Sequence, residues 1–354
     1  MARSSGSHPR RICMQLNKIA FTICLSLAVT LVSSAALAQY QLTNLVSNQV
    51  GAARHIDPLL VNAWGIVHGP TTPFWVSDNN AGWETLYTGN GTKVTELVVS
   101  VPPASGAAPG SPTGNVFNGS SDFQLQGNSA PFLWATLDGT INAWSPKVNI
   151  ASGIAVVNNS ASGSMFTGLA ITSHPSGNLL YAADNANNIV DVYDGTFTLV
   201  NSFTDTTLPA GFSAFGIQDI NGLVYVSFAS ATGGSGGFID IFEENGTLVK
   251  QLVQGAPLNQ PWGFAVAPKN FGPLSNTLLV SNNTNGGTIN AFNLENGQFV
   301  GTVRETNDKD IVIDQLWGID FGGGTATNGR TDQLFFTSGP HDNLAGTFGV
   351  IGLK

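Results

Sequence analysis

A glycine that recurs every 47 to 55 residues constrains this chain more than any other feature of its sequence. It lies at positions 65, 114, 168, 216, 263 and 318, and three of the six follow a tryptophan: Trp64, Trp262 and Trp317. A repeat of this length, rich in short apolar runs, is typical of a propeller blade. The sequence therefore predicts a single domain of six blades.

Each repeat carries matching landmarks after its glycine. A second apolar run follows, as at 179–183 and 277–281, and then a third run that ends in an aromatic residue in five repeats. Those aromatic residues are Tyr87, Trp144, Tyr193, Phe242 and Phe292. Asn-Gly or Asp-Gly pairs then favour a tight hairpin turn in four repeats. Each unit is predicted to be a four-stranded antiparallel meander.

The two ends of the chain predict how the ring closes. The sixth repeat stops after its third strand, 347–353, so that its outermost strand is missing. The segment 40–47 precedes the first repeat and alternates Leu42, Asn44 and Val46 against Thr43 and Leu45. We expect this segment to supply the missing strand, since closure removes open sheet edges. The predicted fold is an all-β, six-bladed β-propeller with its ring closed by the N-terminal strand.

The first 38 residues have the features of a secretory signal peptide. Basic residues precede an apolar stretch at 19–32, and Ala36-Leu37-Ala38 forms an A-x-A cleavage site. We therefore predict a signal peptide at 1–38, a propeller domain at 39–354 and a secreted or periplasmic location, with no membrane span after cleavage. Met14 is an alternative start, since 14–38 alone makes a compact leader.

Composition narrows the range of partners. Both cysteines, Cys13 and Cys24, lie in the predicted leader, so that residues 39–354 offer no thiol as a nucleophile or metal ligand. Those residues carry 9 basic and 22 acidic side chains, a net charge of −13. A nucleic-acid partner is not expected, because no basic stripe exists to neutralise phosphates. We expect a monomer.

Polar residues recur where the second strand of each repeat ends. In a four-stranded meander, this turn and the loop that enters the first strand emerge on the same face, which we call the upper face. The turns supply candidate ligand-binding residues close to the mouth of the central channel: Asp78, Asn79, Asp138, Asp184, Asn185 and Asn282.

Two interpretations of this polar ring compete. Asp and Asn side chains commonly bond backbone amides two residues further on, which would make the ring a structural feature of turns. Alternatively, oxygens of Asp78, Asp138, Asp184 and Asn282 converge on the axis and hold Ca²⁺ or another divalent cation, which prefers such ligands.

Two further side chains are candidates for ligand binding. His341, beside Asp342 and Asn343, lies in the loop between the second and third strands of the last repeat, and it is either a solvated loop histidine or a side chain that faces the channel. Trp83 has no counterpart in the other repeats, and it is either a packing residue or an exposed stacking platform for a sugar ring. The repeated Trp64, Trp262 and Trp317 are expected to pack between blades.

Segment 180–194, LYAADNANNIVDVYD, resembles an NHL-type propeller repeat. The motifs NAWGI at 62–66, WVSDN at 75–79, SPTG at 111–114 and DGTI at 138–141 are similar to those of an uncharacterised family of secreted bacterial propellers. Some members of that family carry a PEP-CTERM sorting tail, which is not found in this sequence. The resemblance implies a fold and an exported product but no activity. In blade number the chain also resembles gluconolactonase-like hydrolases. The metal site of those enzymes uses a Glu together with Asn and Asp at axial positions. Glu84 and Glu96 do not match this pattern, because they lie outside the expected entry strands.

The sequence thus favours a ligand-binding or interaction scaffold with its site at the channel mouth. Its ligand would be a small molecule, a carbohydrate or a protein. The alternative is a cation-dependent hydrolase of a lactone or phosphoester, in which an axial metal activates water. Propellers host both kinds of function, so that the fold alone does not choose between them.

Overall fold

Six antiparallel sheets, each built mainly from one repeat of the chain, account for most of the described structure. The computed structural model describes residues 40–106, 109–173 and 177–354, so that the predicted signal peptide lies outside the described residues. In these ranges the only helical elements are two short 3₁₀ turns, Ser160–Ser162 and Gly272–Leu274. None of the described helices is long and apolar enough to cross a membrane.

Strands are numbered in chain order. The N-terminal segment forms β1 (Tyr40–Ser47) and β2 (His55–Ile56). Blade 1 follows with β3 (Ala63–His68), β4 (Phe74–Asp78), β5 (Trp83–Tyr87) and β6 (Val99–Ser100). Blade 2 contains β7 (Pro112–Phe117), an inserted hairpin of β8 (Gln124–Leu125) and β9 (Asn128–Ser129), then β10 (Phe132–Thr136), β11 (Thr140–Trp144) and β12 (Ile154–Asn158).

The remaining blades repeat this order. Blade 3 contains β13 (Phe166–Ile171), β14 (Leu180–Asp184), β15 (Ile189–Tyr193) and β16 (Leu199–Phe203). Blade 4 contains β17 (Phe212–Ile220), β18 (Leu223–Ser230), β19 (Phe238–Phe242) and β20 (Leu248–Gln254). Blade 5 contains β21 (Pro261–Val266), β22 (Leu278–Asn282), β23 (Ile289–Phe292) and β24 (Phe299–Thr302). Blade 6 contains β25 (Leu316–Phe321), β26 (Leu334–Ser338) and β27 (Thr347–Leu353).

The N-terminal strand closes the ring as predicted. β1 pairs with β27 in antiparallel register from Tyr40 opposite Leu353 to Ser47 opposite Thr347, with one bulge between Asn44 and Val46. β2 then adds a short parallel pair to the outer side of β1. The fourth strand of blade 6 therefore comes from the beginning of the described chain, and the predicted six-bladed fold is confirmed.

Hydrophobic cores lie between blades, because each sheet buries both of its faces. On β4, Phe74 packs against Phe335 of blade 6, with ring centroids 4.4 Å apart. Its neighbour Trp75 points to the opposite face and stacks on Phe132 of blade 2 at 4.2 Å. Successive side chains of a strand point to opposite faces of the sheet, so that each blade packs against both of its neighbours. Full burial of each such side chain stabilises the fold by about 1.5–3 kcal/mol.

The repeated glycine allows the innermost strands to approach closely. A Cβ atom at Gly263 would lie 2.8 Å from both the Trp317 carbonyl oxygen and the Ser281 Oγ. At Gly318, the corresponding atom would lie 2.9 Å from the Trp64 carbonyl oxygen. Real Cβ atoms do not occupy such positions, so the signature glycine is required by the spacing between blades.

Hydroxyl groups on the second strands form hydrogen bonds that stabilise these close contacts. The Ser281 Oγ accepts a hydrogen bond from the Gly263 amide at 2.8 Å and donates to the Trp317 carbonyl of the next blade at 2.6 Å. Thr337 links Gly318 to the Trp64 carbonyl in the same way. Since each hydroxyl satisfies groups on two blades, it fixes both the position and the orientation of the neighbouring innermost strand.

Candidate functional site on the upper face

The three repeated tryptophans meet at the upper end of the channel. Trp64 stacks on Trp317 with ring centroids 3.6 Å apart, and Trp262 meets the two rings edge-on at 6.2 and 5.9 Å. All three are at most 8% exposed. Phe215 of blade 4 packs against Trp317 at 5.8 Å. We expected these tryptophans to pack between blades; the structure shows that blades 1, 5 and 6 place them against one another, where they close the channel mouth.

Below this aromatic cluster the axis is nearly filled. A cavity of about 40 Å³ remains, with apolar side chains and two amides, Asn115 and Gln218, on its wall. The innermost strands supply the apolar side chains Ile66, Leu169, Ile217, Phe264 and Ile319. Such a volume holds one or two water molecules. This cavity therefore has no room for a small-molecule ligand.

The predicted ligand residues Asn79 and Asn185 connect neighbouring blades. Each follows the second strand of its blade and donates from Nδ2 to a backbone carbonyl of the next innermost strand, at 2.9 and 2.8 Å. Asn283 does the same in blade 5 at 3.3 Å. The acceptors lie at or near the start of those strands: Pro112, Ala214 and Leu316. These contacts support the structural interpretation of the asparagines.

Asp184 and Asn282 hold the loops that enter their own blades. The Asp184 carboxylate accepts hydrogen bonds from the Met165 amide at 3.0 Å and from Asn187 Nδ2 at 2.8 Å. The Asn282 Oδ1 accepts from the Asn259 amide at 3.0 Å. Both side chains are buried and occupied by local partners.

Asp138 is not equivalent to the other members of the predicted ring. The strand register places Thr136 opposite Pro112, the position that Asp78 and Asp184 occupy in blades 1 and 3. Asp138 lies two residues further on, in the turn, where it accepts hydrogen bonds from the Ala104 amide at 2.6 Å and from the Thr136 hydroxyl. It fixes the segment before blade 2 to that turn.

Asp78 is completely buried, and neither carboxyl oxygen has a hydrogen-bond partner among the described residues. It shares a strand face with Phe74, which packs against blade 6, so it points between blades. Burial raises the pKa of Asp78 well above its usual range; the Thr85 hydroxyl lowers it, and the charge of Glu84 raises it further. Burial therefore disfavours the charged form of this carboxyl group.

The four predicted metal ligands thus have separate environments. Among residues 40–106, 109–173 and 177–354, no three His, Cys, Asp or Glu side chains are grouped so that they could hold a metal ion. Trp83 is half-buried at the start of β5 and belongs to none of the hydrophobic clusters found in those ranges. Its use as a stacking platform stays a prediction, as does the cation site.

His341 belongs to a strained turn of the upper face. Three consecutive residues without a glycine, His341, Asp342 and Asn343, have left-handed φ values of 58°, 55° and 65°. Hydrogen bonds from the Asn343 amide to the Gly339 carbonyl at 2.8 Å, and from Ala345 to Pro340 at 3.0 Å, close the turn. A left-handed residue costs about 1–2 kcal/mol, and such residues normally occur singly. This run therefore stores backbone strain.

Neighbouring blades hold the left-handed turn in place. The Asn343 carbonyl accepts a hydrogen bond from Asn80 Nδ2 of blade 1 at 2.7 Å, and its side-chain oxygen receives the Trp317 indole at 3.4 Å. The His341 amide donates to an Asp314 carboxylate oxygen at 3.1 Å. The side chains of His341 and Asp342 remain exposed and have no hydrogen-bond partner among the described residues.

A pocket of about 250 Å³ opens beside this turn. His341, Asp314, Asn44 and Gln49 contribute polar groups to its wall. The apolar part of the wall comes from Leu42, Val312, Ile313, Phe336 and Pro340. Sequence reasoning found His341 from its place in the repeat. The pocket was missed, because it depends on β1 lying beside blade 6 and on backbone angles that the sequence does not display.

Six four-stranded blades around a filled axis, with polar turns on one face, define this protein as a β-propeller. No family model matches the chain. The uncharacterised protein R648 of Acanthamoeba polyphaga mimivirus is 30% identical over 343 residues, which cover 89% of this chain and 81% of the viral protein. The uncharacterised protein L690 of the same virus is 30% identical over 305 residues, covering 80% and 79%. The chain belongs to the family of these uncharacterised proteins.

Solved structures share the fold at low sequence identity. A streptogramin B lyase is 14% identical with a TM-score of 0.52, covering 91% of this chain and 100% of the lyase. A gluconolactonase from Xanthomonas campestris is 14% identical with a TM-score of 0.54, covering 83% and 87%. At this identity the likeness extends to the fold alone. The shared fold agrees with the predicted resemblance of segment 180–194 to an NHL-type propeller repeat. The predicted membership in a family of secreted bacterial proteins stays a prediction.

Proposed function

We propose that this propeller is a ligand-binding module whose site is the pocket beside His341 on the upper face. The observation that carries the proposal is the left-handed turn at 341–343. Strain of this kind persists only where the surroundings enforce it, and it is concentrated at binding and catalytic sites. Here Asn80, Asp314 and Trp317 enforce it.

The consequence of the strain is a fixed position for two unpaired polar side chains. His341 offers an imidazole and Asp342 a carboxylate, and both are exposed at the turn. Neither is used by the fold, unlike the asparagines that connect the blades. A rigid platform with free polar groups is the arrangement that ligand recognition requires.

The dimensions of the pocket favour a small ligand. A volume of about 250 Å³ is slightly below the usual range for drug-sized ligands, and it suits a single sugar ring or a molecule of similar size. The half-buried Leu42 and the exposed Val312 would contact the body of the ligand, and His341 and Asp314 would bond its polar groups. A small molecule or a carbohydrate is therefore favoured over a protein ligand.

The contacts of the polar ring do not support the hydrolase alternative. Asp184 and Asn282 are bonded to their own loops, and Asp78 points between blades. We further propose that the product is exported, on the strength of the signal-peptide pattern at 1–38.

The pocket can be tested with a library of fluorinated fragments and simple methyl glycosides, read by NMR. Val312 lies on the pocket wall and is 58% exposed, so that Val312→Trp fills the pocket without disturbing the core. We expect some compounds to bind the wild type with millimolar affinity. Their affinity for Val312→Trp should be at least about tenfold weaker, a loss of about 1.4 kcal/mol in binding free energy. His341→Ala should weaken the polar members of the same set.

Val249→Trp is the matched control, because Val249 is 48% exposed on the outer strand of blade 4. It should leave every hit unchanged. A screen without hits would contradict the proposal, as would hits that survive Val312→Trp.

A further inference from the structure

A groove between blades 6 and 1, which we call the seam groove, is a second candidate binding site. It has a volume of about 470 Å³. Gln41 and Thr43 of β1 and Gly352 of β27 line one side of it. The turn at Asn90 and the loop 325–330 line the other side. The groove therefore follows the line along which the N-terminal strand closes the ring.

The charge of the seam groove opposes that of the whole molecule. The chain has 22 acidic and 13 basic side chains, yet the groove is lined by two arginines and by no Asp or Glu. Arg330 is held by Asp332 through two hydrogen bonds, of 2.8 and 3.1 Å. Arg54 forms no ion pair in the part of the chain that the structure describes. Its guanidinium group is free for an anionic ligand.

The other polar groups of the groove suit sugar hydroxyls. Gln41 and Thr43 face the same space as Arg54, and their side chains form no hydrogen bond within the described ranges. Gln333 and Asn90 add amide groups. No aromatic side chain lines the groove, so that a nucleobase would find no stacking platform. Leu353, which is half-buried, supplies apolar surface for the C–H face of a sugar ring.

We infer that the seam groove binds an acidic saccharide, with Arg54 paired to the sugar carboxylate. Arginine recognises carboxylates through a planar fork of donors, which adds geometric specificity to the charge. The amide and hydroxyl groups of Gln41 and Thr43 bond the ring hydroxyls.

This inference is independent of the pocket beside His341. Gln41 and Thr43 face the seam groove, whereas the alternate residues Leu42 and Asn44 of the same strand line the other pocket. Loss of one site therefore leaves the other in place, and His341→Ala should not affect saccharide binding in the groove.

The test is calorimetry and NMR titration of the purified protein with trigalacturonate, neutral galactotriose and inorganic phosphate at low salt. We expect trigalacturonate to bind at least about tenfold more tightly than galactotriose, as one charged hydrogen bond allows. Arg54→Gln should remove that preference. Arg304→Gln is the matched control, because Arg304 pairs with Asp308 and Asp310 away from the groove.

Three results would overturn the inference. The first is equal affinity for the acidic and the neutral saccharide. The second is phosphate binding as tight as that of trigalacturonate and equally sensitive to Arg54→Gln, which would indicate a simple anion site. The third is no binding at millimolar concentration. Gln41→Ala, which leaves all charges in place, should weaken both saccharides and not phosphate.

Discussion

At the scale of single residues, the signature glycine acts as a spacer between innermost strands. Tryptophan precedes it in blades 1, 5 and 6, where the three rings fill the channel mouth together. Threonine precedes it in blades 2 and 3, where Thr113 and Thr167 donate to carbonyls of the next blade at 2.8 Å. The residue before the glycine thus differs from blade to blade, according to the groups that it contacts near the axis. The glycine itself is the same in all six blades.

The spacer role predicts a large effect for a very small change. Gly263→Ala places a methyl group 2.8 Å from the Trp317 carbonyl and the Ser281 hydroxyl, so that blades 5 and 6 must separate. We expect the free energy of unfolding to fall by about 1–3 kcal/mol, the usual range for overpacking. Urea unfolding followed by tryptophan fluorescence measures it.

Gly301→Ala is the control, since the nearest atom to its added Cβ would be Leu274 Cδ2 at 3.6 Å. It lies on the edge strand β24 and should change the unfolding free energy by less than about 0.5 kcal/mol. Equal losses in the two variants would show that the close contact at Gly263 is not the cause.

At the scale of elements, the N-terminal segment is fastened to blade 1 as well as to blade 6. Asp57, which follows β2, accepts hydrogen bonds from the Tyr87 hydroxyl at 2.6 Å and from Lys93 Nζ at 2.6 Å. Asp57 and Tyr87 are at most 2% exposed. One buried carboxylate therefore joins the closing segment to the neighbouring blade.

Removal of the Tyr87 hydroxyl should loosen that connection. In Tyr87→Phe the ring packing is kept and one hydrogen bond to a charged group is lost, so that we expect about 1.5–3 kcal/mol of destabilisation. Hydrogen exchange should rise first in residues 48–60. Tyr225→Phe is the control, because the Tyr225 hydroxyl has no hydrogen-bond partner among the described residues. A uniform rise in exchange over all blades would refute the local connection.

The elements were predictable because their signals repeat six times. The closing strand was predicted at 40–47 and is found at Tyr40–Ser47. Equivalence within the polar ring failed at Asp138, because Thr136 takes the position opposite the first residue of the innermost strand and Asp138 lies two residues further on, in the turn. Asn79 and Asn185 were correctly predicted to lie on the upper face. Their hydrogen-bond acceptors belong to the next blade, and contacts between blades cannot be read from the spacing of a repeat.

At the scale of the whole molecule, buried acids make stability depend on pH. Glu84 occupies a position on the third strand where the other blades carry Ile141, Val190, Ile239, Ile289 or Phe348. Burial raises its pKa to about 8, although hydrogen bonds from Ser77 and Asn115 lower it. Burial, with the nearby Asp205, also raises the pKa of Asp240 to about 8.

These shifts predict that the protein loses stability as pH rises from about 4.5 to 8. In this window the folded state keeps a proton on Glu84 and the unfolded state does not, so that the free energy of unfolding falls with pH. The slope is about 1.4 kcal/mol per pH unit for one such group. Asp240 acts in the same direction.

Thermal unfolding across this pH range measures the effect, and Glu84→Gln should reduce the slope and raise the melting temperature at pH 8. Glu96→Gln, at an exposed position of blade 1, should do neither. A melting temperature that rises from pH 5 to pH 8 in the wild type would refute the prediction.

The pairing of β1 with β27 also determines when folding can finish. Tyr40 and Leu353 are opposite one another although 313 residues separate them in sequence. During synthesis the first strand must wait, unpaired, until the last strand has been made, with the apolar Leu45 and Val46 uncovered. Contacts so distant in sequence form slowly. The nascent chain therefore passes through a period in which it needs protection from aggregation, and that period ends only when β27 has left the ribosome.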